Sequence, residues 1–119
     1  EEQPTHYRIV GRLKDIINRG GVKIAPIEID LLLNGFWEFT EAAVCAYHCD
    51  ELGERICVCA VLREESSPPT LEDLRARLAD RGLARVKLPE RLEIVDHMPR
   101  NPMGKVLRGE LRAIVEERG

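Results

Sequence analysis

Apolar positions along this 119-residue chain switch between a two-residue and a three-to-four-residue period, and the switches mark out its elements. Tyr7-Arg8-Ile9-Val10 alternates and is β-prone, Gly11-Arg12 interrupts it, and Asp15-Ile16-Ile17 resumes it before Gly20-Gly21. That pattern predicts a hairpin followed by a flexible loop. Val22-Lys23-Ile24 is a further short extended piece. Pro26 suits the first helical position, where its missing N–H costs nothing, so a helix is expected over Ile27 to Asn34, with Gly35 ending it. From Ala42 to Ala46 and from Arg55 to Leu62 the residues are apolar on both faces, as in strands sandwiched between layers, with Asp50 to Glu54 joining them.

Beyond the short linker Ser66-Ser67-Pro68-Pro69, Thr70-Leu71-Glu72-Asp73 resembles a capping arrangement for a helix with Leu71, Leu74 and Leu78 on one face, stopped by Gly82. Arg91 to Val95 is a strand candidate and Pro99 to Gly104 a loop. Leu107, Leu111, Ile114 and Val115 mark an amphipathic closing helix. The order predicts a single α+β domain over residues 1–119, an N-terminal β-hairpin followed by a mixed sheet of about three strands flanked by helices.

Composition narrows what such a domain does. Hydrophobic residues make up 44% and charged ones 33%, with a formal net charge of -3, so no general affinity for nucleic acid or anionic membrane is expected. No apolar run approaches a membrane span, and Glu1 to Tyr7 lacks the basic start and apolar middle of a signal peptide, which makes the cytoplasm the expected compartment. The length suits one core but not a cleft for a two-substrate enzyme, so the domain is expected to work as part of something larger.

Cys45, Cys49, Cys57 and Cys59 cluster with His48 among them. They are embedded in apolar, strand-like sequence rather than in the paired knuckles of a zinc site, so buried free thiols are expected and no metal site. His6, His48 and His97 have no carboxylate or serine partner at a recognisable spacing and receive no catalytic role.

Two segments carry glycines, prolines and cations that packing alone does not explain: GRLKDIINRGGVKIAPIEID, from Gly11 to Asp30, and KLPERLEIVDHMPRNPMGKVLRGEL, from Lys87 to Leu111. In the second, Pro99 and Pro102 stiffen a loop that Gly104 leaves flexible at one point, and Lys105 follows beside a helix start, a long cation presented from a restrained backbone. Both segments, in this order and spacing, resemble the signature stretches of the adenylate-forming superfamily, which includes acyl-CoA synthetases, peptide-synthetase adenylation domains and luciferases.

The resemblance implies the mobile C-terminal lid domain of an acyl-CoA synthetase or fatty-acid–CoA ligase, whose large N-terminal domain is absent from this sequence. Its full-length enzyme would use ATP, Mg²⁺ and CoA, none of them bound by this domain alone, and its chief partner would be that N-terminal domain. Lys105 would be the adenylation lysine, contacting the acid's carboxylate and the phosphates of ATP. Arg12 would contact the nucleotide and Lys14 would be the hinge about which the domain rotates. Gly20 and Gly21 would line the path of the pantetheine thiol, with Lys23 fixing that loop and Lys87 available to CoA, while Glu28 reads as structural. Pro99, Gly104 and Lys105 also fit the form in which such enzymes meet a protein lysine acetyltransferase.

One departure concerns the acceptor: Val86 stands where CoA-using members commonly carry an aromatic, and Leu88 and Glu90 are not basic. Two alternatives therefore stand beside the acyl-CoA synthetase, an adenylation domain that loads a carrier protein and a non-catalytic docking module.

Overall fold

A computed structural model describes residues 15–119 of the chain. Its elements are β1 (Ile17–Arg19), β2 (Val22–Ile24), α1 (Pro26–Leu33), β3 (Phe39–Cys49), β4 (Gly53–Leu62), α2 (Leu71–Asp80), a 3-10 turn (Arg85–Lys87), β5 (Arg91–Ile94) and α3 (Arg108–Glu117). The strands form one five-stranded sheet. β3 and β4 pair antiparallel from Phe39↔Leu62 to Cys49↔Gly53, with a register shift between Phe39 and Glu41. On its other side β4 serves two neighbours, β1 at Arg19↔Gly53 and β5 in parallel from Cys57↔Arg91 to Ala60↔Ile94.

Strand alternation divides the apolar residues between two cores. Ile56, Val58 and Ala60 of β4, with Val44 of β3, pack with Ile29 and Leu33 of α1 and Leu74 and Leu78 of α2. Cys57 and Cys59, with Ala43 and Cys45, pack with Leu111 and Val115 of α3. The sheet is therefore sandwiched between α1 and α2 on one face and α3 on the other, the α+β arrangement expected. Leu111 and Val115 are fully buried, which contributes about 1.5–3 kcal/mol each relative to exposure.

Local chemistry explains the helix starts. Pro26 opens α1, whose N-cap Ala25 offers no side-chain bond. Thr70 caps α2, its hydroxyl oxygen accepting the Asp73 N–H at 3.1 Å. Buried Glu38, 4% exposed, ties the α1–β3 connection to α2 through Arg77, which donates Nη1 and Nη2 to its two carboxylate oxygens at 3.0 and 2.6 Å.

The N-terminal hairpin differs from the expected one. Gly20-Gly21 is the two-residue turn between β1 and β2, with Asn18 paired to Lys23 and Arg19 to Val22, rather than a flexible loop beyond a hairpin. Both glycines have positive φ, +59° and +93°, the pattern of a type I′ turn that follows the strand twist. The arm from Tyr7 to Val10 lies outside the described residues. No helix among the described residues is long and apolar enough to cross a membrane.

Candidate functional site

Between β5 and α3 the chain folds back on itself through the bridge Arg100↔Val106. Asn101 organises the reversal. Its side-chain oxygen accepts the N–H groups of Met103 and Lys105, both at 2.9 Å, while its own N–H donates to the Lys105 carbonyl at 2.9 Å and its carbonyl accepts the Gly104 N–H at 2.8 Å. This is an Asx turn closed from both sides. Gly104 sits at φ +87° with its N–H and carbonyl both bonded. Its lack of a side chain thus serves a left-handed backbone position, correcting the expectation that it keeps the loop flexible.

Arg100 fastens the loop to the sheet. Its Nη1 donates to the Gly104 carbonyl at 2.7 Å, and its Nη2 and Nε donate to Glu41 Oε1 on β3 at 2.7 and 3.1 Å. Lys105 follows this anchored residue with its side chain exposed, and among the described residues its Nζ has no ion-pair or hydrogen-bond partner. It borders a groove of about 510 Å³ whose lining includes Asp15, Pro26, Leu31 and Asp30.

The groove floor is braced by a closed ring of polar contacts. Arg108, at the start of α3, donates to Asp30 Oδ2 at 2.6 Å and to the Val44 carbonyl at 2.8 Å, and Asp30 Oδ1 accepts the Val44 N–H at 2.9 Å. Among the described strands β3 is the edge of the sheet, and this ring satisfies the outward-facing amide and carbonyl of Val44, which is itself fully buried.

The Gly20-Gly21 turn occupies a different place. The Gly20 N–H donates to the Leu52 carbonyl at 2.7 Å, which docks the hairpin tip on the β3–β4 turn, while the Gly21 N–H donates to Asn18 Oδ1 at 3.0 Å within the hairpin itself. A Cβ on Gly20 would meet Leu52 Cδ2 at 3.0 Å, whereas one on Gly21 would meet nothing within 4 Å. The anchors of the two loops, Glu41 and Cys49 opposite Gly53, are separated by the length of β3 between them, about 26 Å at roughly 3.3 Å per residue.

Other expected site residues fall apart from these two loops. Lys23 is exposed on β2. Lys87 pairs with Glu28 at 2.9 Å, so Glu28, an acid in the first turn of α1, also ties the 3-10 turn to that helix. Glu90, which interrupts an expected basic stretch, accepts Arg19 at 3.0 and 2.8 Å and lies 3.5 Å from Arg55. Burial raises its carboxyl pKa, but hydrogen bonding to Arg19 and the charges of Arg19 and Arg55 leave it below the ordinary value. Arg12, Lys14 and His6 lie outside the described residues.

Cys45, Cys57 and Cys59 are buried free thiols beneath α3, and Cys49 is half-buried. The nearest recorded approach, Cys45 Sγ to Cys59 Sγ, is 3.8 Å. The exposed His48 ring bonds Asp50 at 2.7 Å. The reading of the sequence missed Arg100, Glu41, Asp30 and Arg108 as a supporting frame. Three of the four lie inside or next to the quoted motifs, but nothing local says which residue each one meets.

The description of the AMP-binding enzyme C-terminal domain matches residues 28–105. The chain belongs to that family. This AMP-binding C-terminal domain is 39% identical over 110 residues to a 2,3-dihydroxybenzoate-AMP ligase of Bacillus subtilis (strain 168), covering 92% of the chain and 20% of the relative. It is 37% identical over 103 residues to an oxalate–CoA ligase of Arabidopsis thaliana, covering 87% of the chain and 20% of the relative. The crystal structure of a Mycobacterium tuberculosis fatty acyl CoA synthetase matches with a TM-score of 0.77 at 30% identity, over 90% of this chain and 21% of that one. The AMP-binding C-terminal domain thus spans about a fifth of the length of these ligases. Its relatives divide between ligases named for AMP and ligases named for CoA.

Proposed function

We propose that the full-length cytoplasmic ligase joins a carboxylic acid to ATP, with Mg²⁺, to form an acyl-adenylate, and then passes the acyl group to a thiol, the thiol sulfur displacing AMP at the acyl carbon. This domain contributes Lys105 to the first step and the Gly20-Gly21 turn to the second. In the first step a carboxylate oxygen attacks the α-phosphorus in line and pyrophosphate leaves. Lys105 would neutralise the charge gathering between the two anions, an electrostatic and positioning role with no covalent bond to the protein. Arg12 and Lys14 keep the roles of nucleotide contact and hinge in this proposal.

The observation that carries the reading is Lys105 itself: an exposed cation with no recorded partner among the described residues, on a loop locked by Asn101 and Arg100. A surface lysine without such a role needs no such scaffold. The separation of the two loops along β3 adds a second argument. Loops anchored about 26 Å apart on one rigid sheet cannot both enter one cleft in a single pose, so two half-reactions would call for two orientations of the domain.

For the acceptor, CoA remains the first choice, with Gly21 open to an approaching pantetheine arm and Lys23 exposed beside it. A carrier-protein arm is favoured by a different observation. Lys87 is held by Glu28 and Arg91 by Glu93, so two cations that would otherwise meet the phosphates of CoA already have counter-ions.

In the full-length ligase, Lys105→Ala should lower pyrophosphate release by about 100-fold or more, on the scale of removing one electrostatic contact from a transition state. Thioester formation from supplied acyl-adenylate should stay within a few-fold of wild type. Equal loss of both half-reactions would reject this division between the loops.

A further inference from the structure

Lys105 owes its position to a residue that no motif role covers. We infer that Arg100 is the positioning residue for Lys105, an inference that rests on the adenylating role proposed for that lysine. Arg100 reaches both sides of the joint. Its Nη1 holds the Gly104 carbonyl at 2.7 Å, the peptide oxygen directly before Lys105, and its Nη2 and Nε hold Glu41 Oε1 at 2.7 and 3.1 Å. The Gly104–Lys105 peptide is thereby tied through one planar guanidinium to β3, the strand that also carries the Asp30–Arg108 ring.

The bonds made by Asn101 are internal to the loop and fix its shape, but they do not fix its orientation to the sheet. The bridge Arg100↔Val106 and the Leu107 N–H to Pro99 carbonyl bond hold the two stems together. Of the side chains in the loop, Arg100 alone among the described residues is recorded bonding to β3. Arginine suits this joint because its fork offers several donors in one rigid plane, two edges at once, where lysine offers a single point charge. The Arg100 and Glu41 side chains are 42% and 39% exposed, and an ion pair that open adds little to folding stability. Its removal should leave the domain folded and change only where Lys105 points. A misplacement of about 1 Å is enough to cost on the order of 100-fold in rate when the displaced group acts on the reacting atoms.

The test uses the full-length ligase with Arg100→Met, Arg100→Lys, Glu41→Gln and Lys105→Ala, measuring kcat and the KM for ATP in pyrophosphate release, and thioester formation from supplied acyl-adenylate. Arg100→Met should lower kcat for adenylation by about 10-fold or more, with KM for ATP and the thioester step within about 2-fold of wild type. Arg100→Lys, which keeps the charge and one contact, should recover part of that loss, and Glu41→Gln should fall between the two. Hydrogen exchange at the amides of β4 should be unchanged in Arg100→Met, and the Lys105 and Met103 amides, bonded to Asn101 within the loop, should stay protected. If Arg100→Met adenylates at the wild-type kcat while Lys105→Ala is inactive, the positioning role is overturned and the role of Lys105 stands. If Lys105→Ala adenylates normally, the role of Lys105 is overturned, and the positioning role with it. A uniform rise in exchange across β4 would also overturn the inference, because the effect would then be loss of fold.

Discussion

Replacing Asp30 separates two interactions that meet on one carboxylate. Oδ1 accepts the Val44 N–H at 2.9 Å and Oδ2 accepts Arg108 at 2.6 Å. Val44 is fully buried on β3, where no further strand among the described residues takes up its amide. Asp30→Ala removes both acceptors. An unpaired buried N–H costs about 1–3 kcal/mol. The ion pair, with side chains 16% and 14% exposed, falls between the near-zero value of an open pair and the several kcal/mol of a dry one, so about 1 kcal/mol is assigned to it. The total expected for Asp30→Ala is about 3 kcal/mol. Asp30→Asn keeps an oxygen for the Val44 N–H but turns an NH2 donor toward Arg108, losing that hydrogen bond together with the charge pairing, so about 2 kcal/mol is expected. Urea unfolding followed by circular dichroism would measure both, with unchanged slopes as the sign that neither variant has altered the surface exposed on unfolding. Equal losses for alanine and asparagine would refute the claim that the Val44 amide contributes to this ring separately from the charge.

Two further outcomes test the framework around the site. The hydrogen bonds from Arg77 hold the Glu38 carboxyl below its ordinary pKa although burial pushes it up. The stability this contributes is full above the unfolded-state value of about 4.3 and is lost as pH falls through the lower folded-state value. The advantage of the wild type over Glu38→Gln in urea midpoint should therefore be the same at pH 7 and pH 5 and smaller at pH 3, and a gap undiminished at pH 3 would contradict it. Cys49 is the accessible thiol, its pKa lowered by the Leu52 backbone and by Arg55, while Cys45, Cys57 and Cys59 are buried. A thiol-reactive disulfide should label Cys49 in the native chain and the other three only after unfolding, and peptide mapping that finds Cys57 or Cys59 modified at the rate of Cys49 would count against the packing of α3.

What could be read directly from the residues depended on how far apart the determining groups lie. The helices α1, α2 and α3 were legible because proline at a first turn, threonine at a cap and apolar recurrence along one face act within a few residues. The strand cores were legible for the same reason, but their ends were not. β3 runs from Phe39 to Cys49, well past its apolar centre, because the hydrogen bonds of β4 continue to the register pair Cys49↔Gly53 whatever the side chains are. Gly20-Gly21 is compatible with a loose loop or a tight turn. The choice is made by Leu52, which accepts the Gly20 N–H, and by the pairing of Arg19 with Gly53. The site divides in the same way. Lys105 is recognisable in its motif because a contact to substrate needs one side chain at one place in a short stretch. Its support is not, because Glu41 lies 59 positions from Arg100 and Asp30 lies 78 from Arg108, and no local pattern joins either pair. Substitution at Glu41, a residue with no motif of its own, should therefore act on Lys105 through Arg100, and its effect on adenylation should largely disappear in an Arg100→Met background.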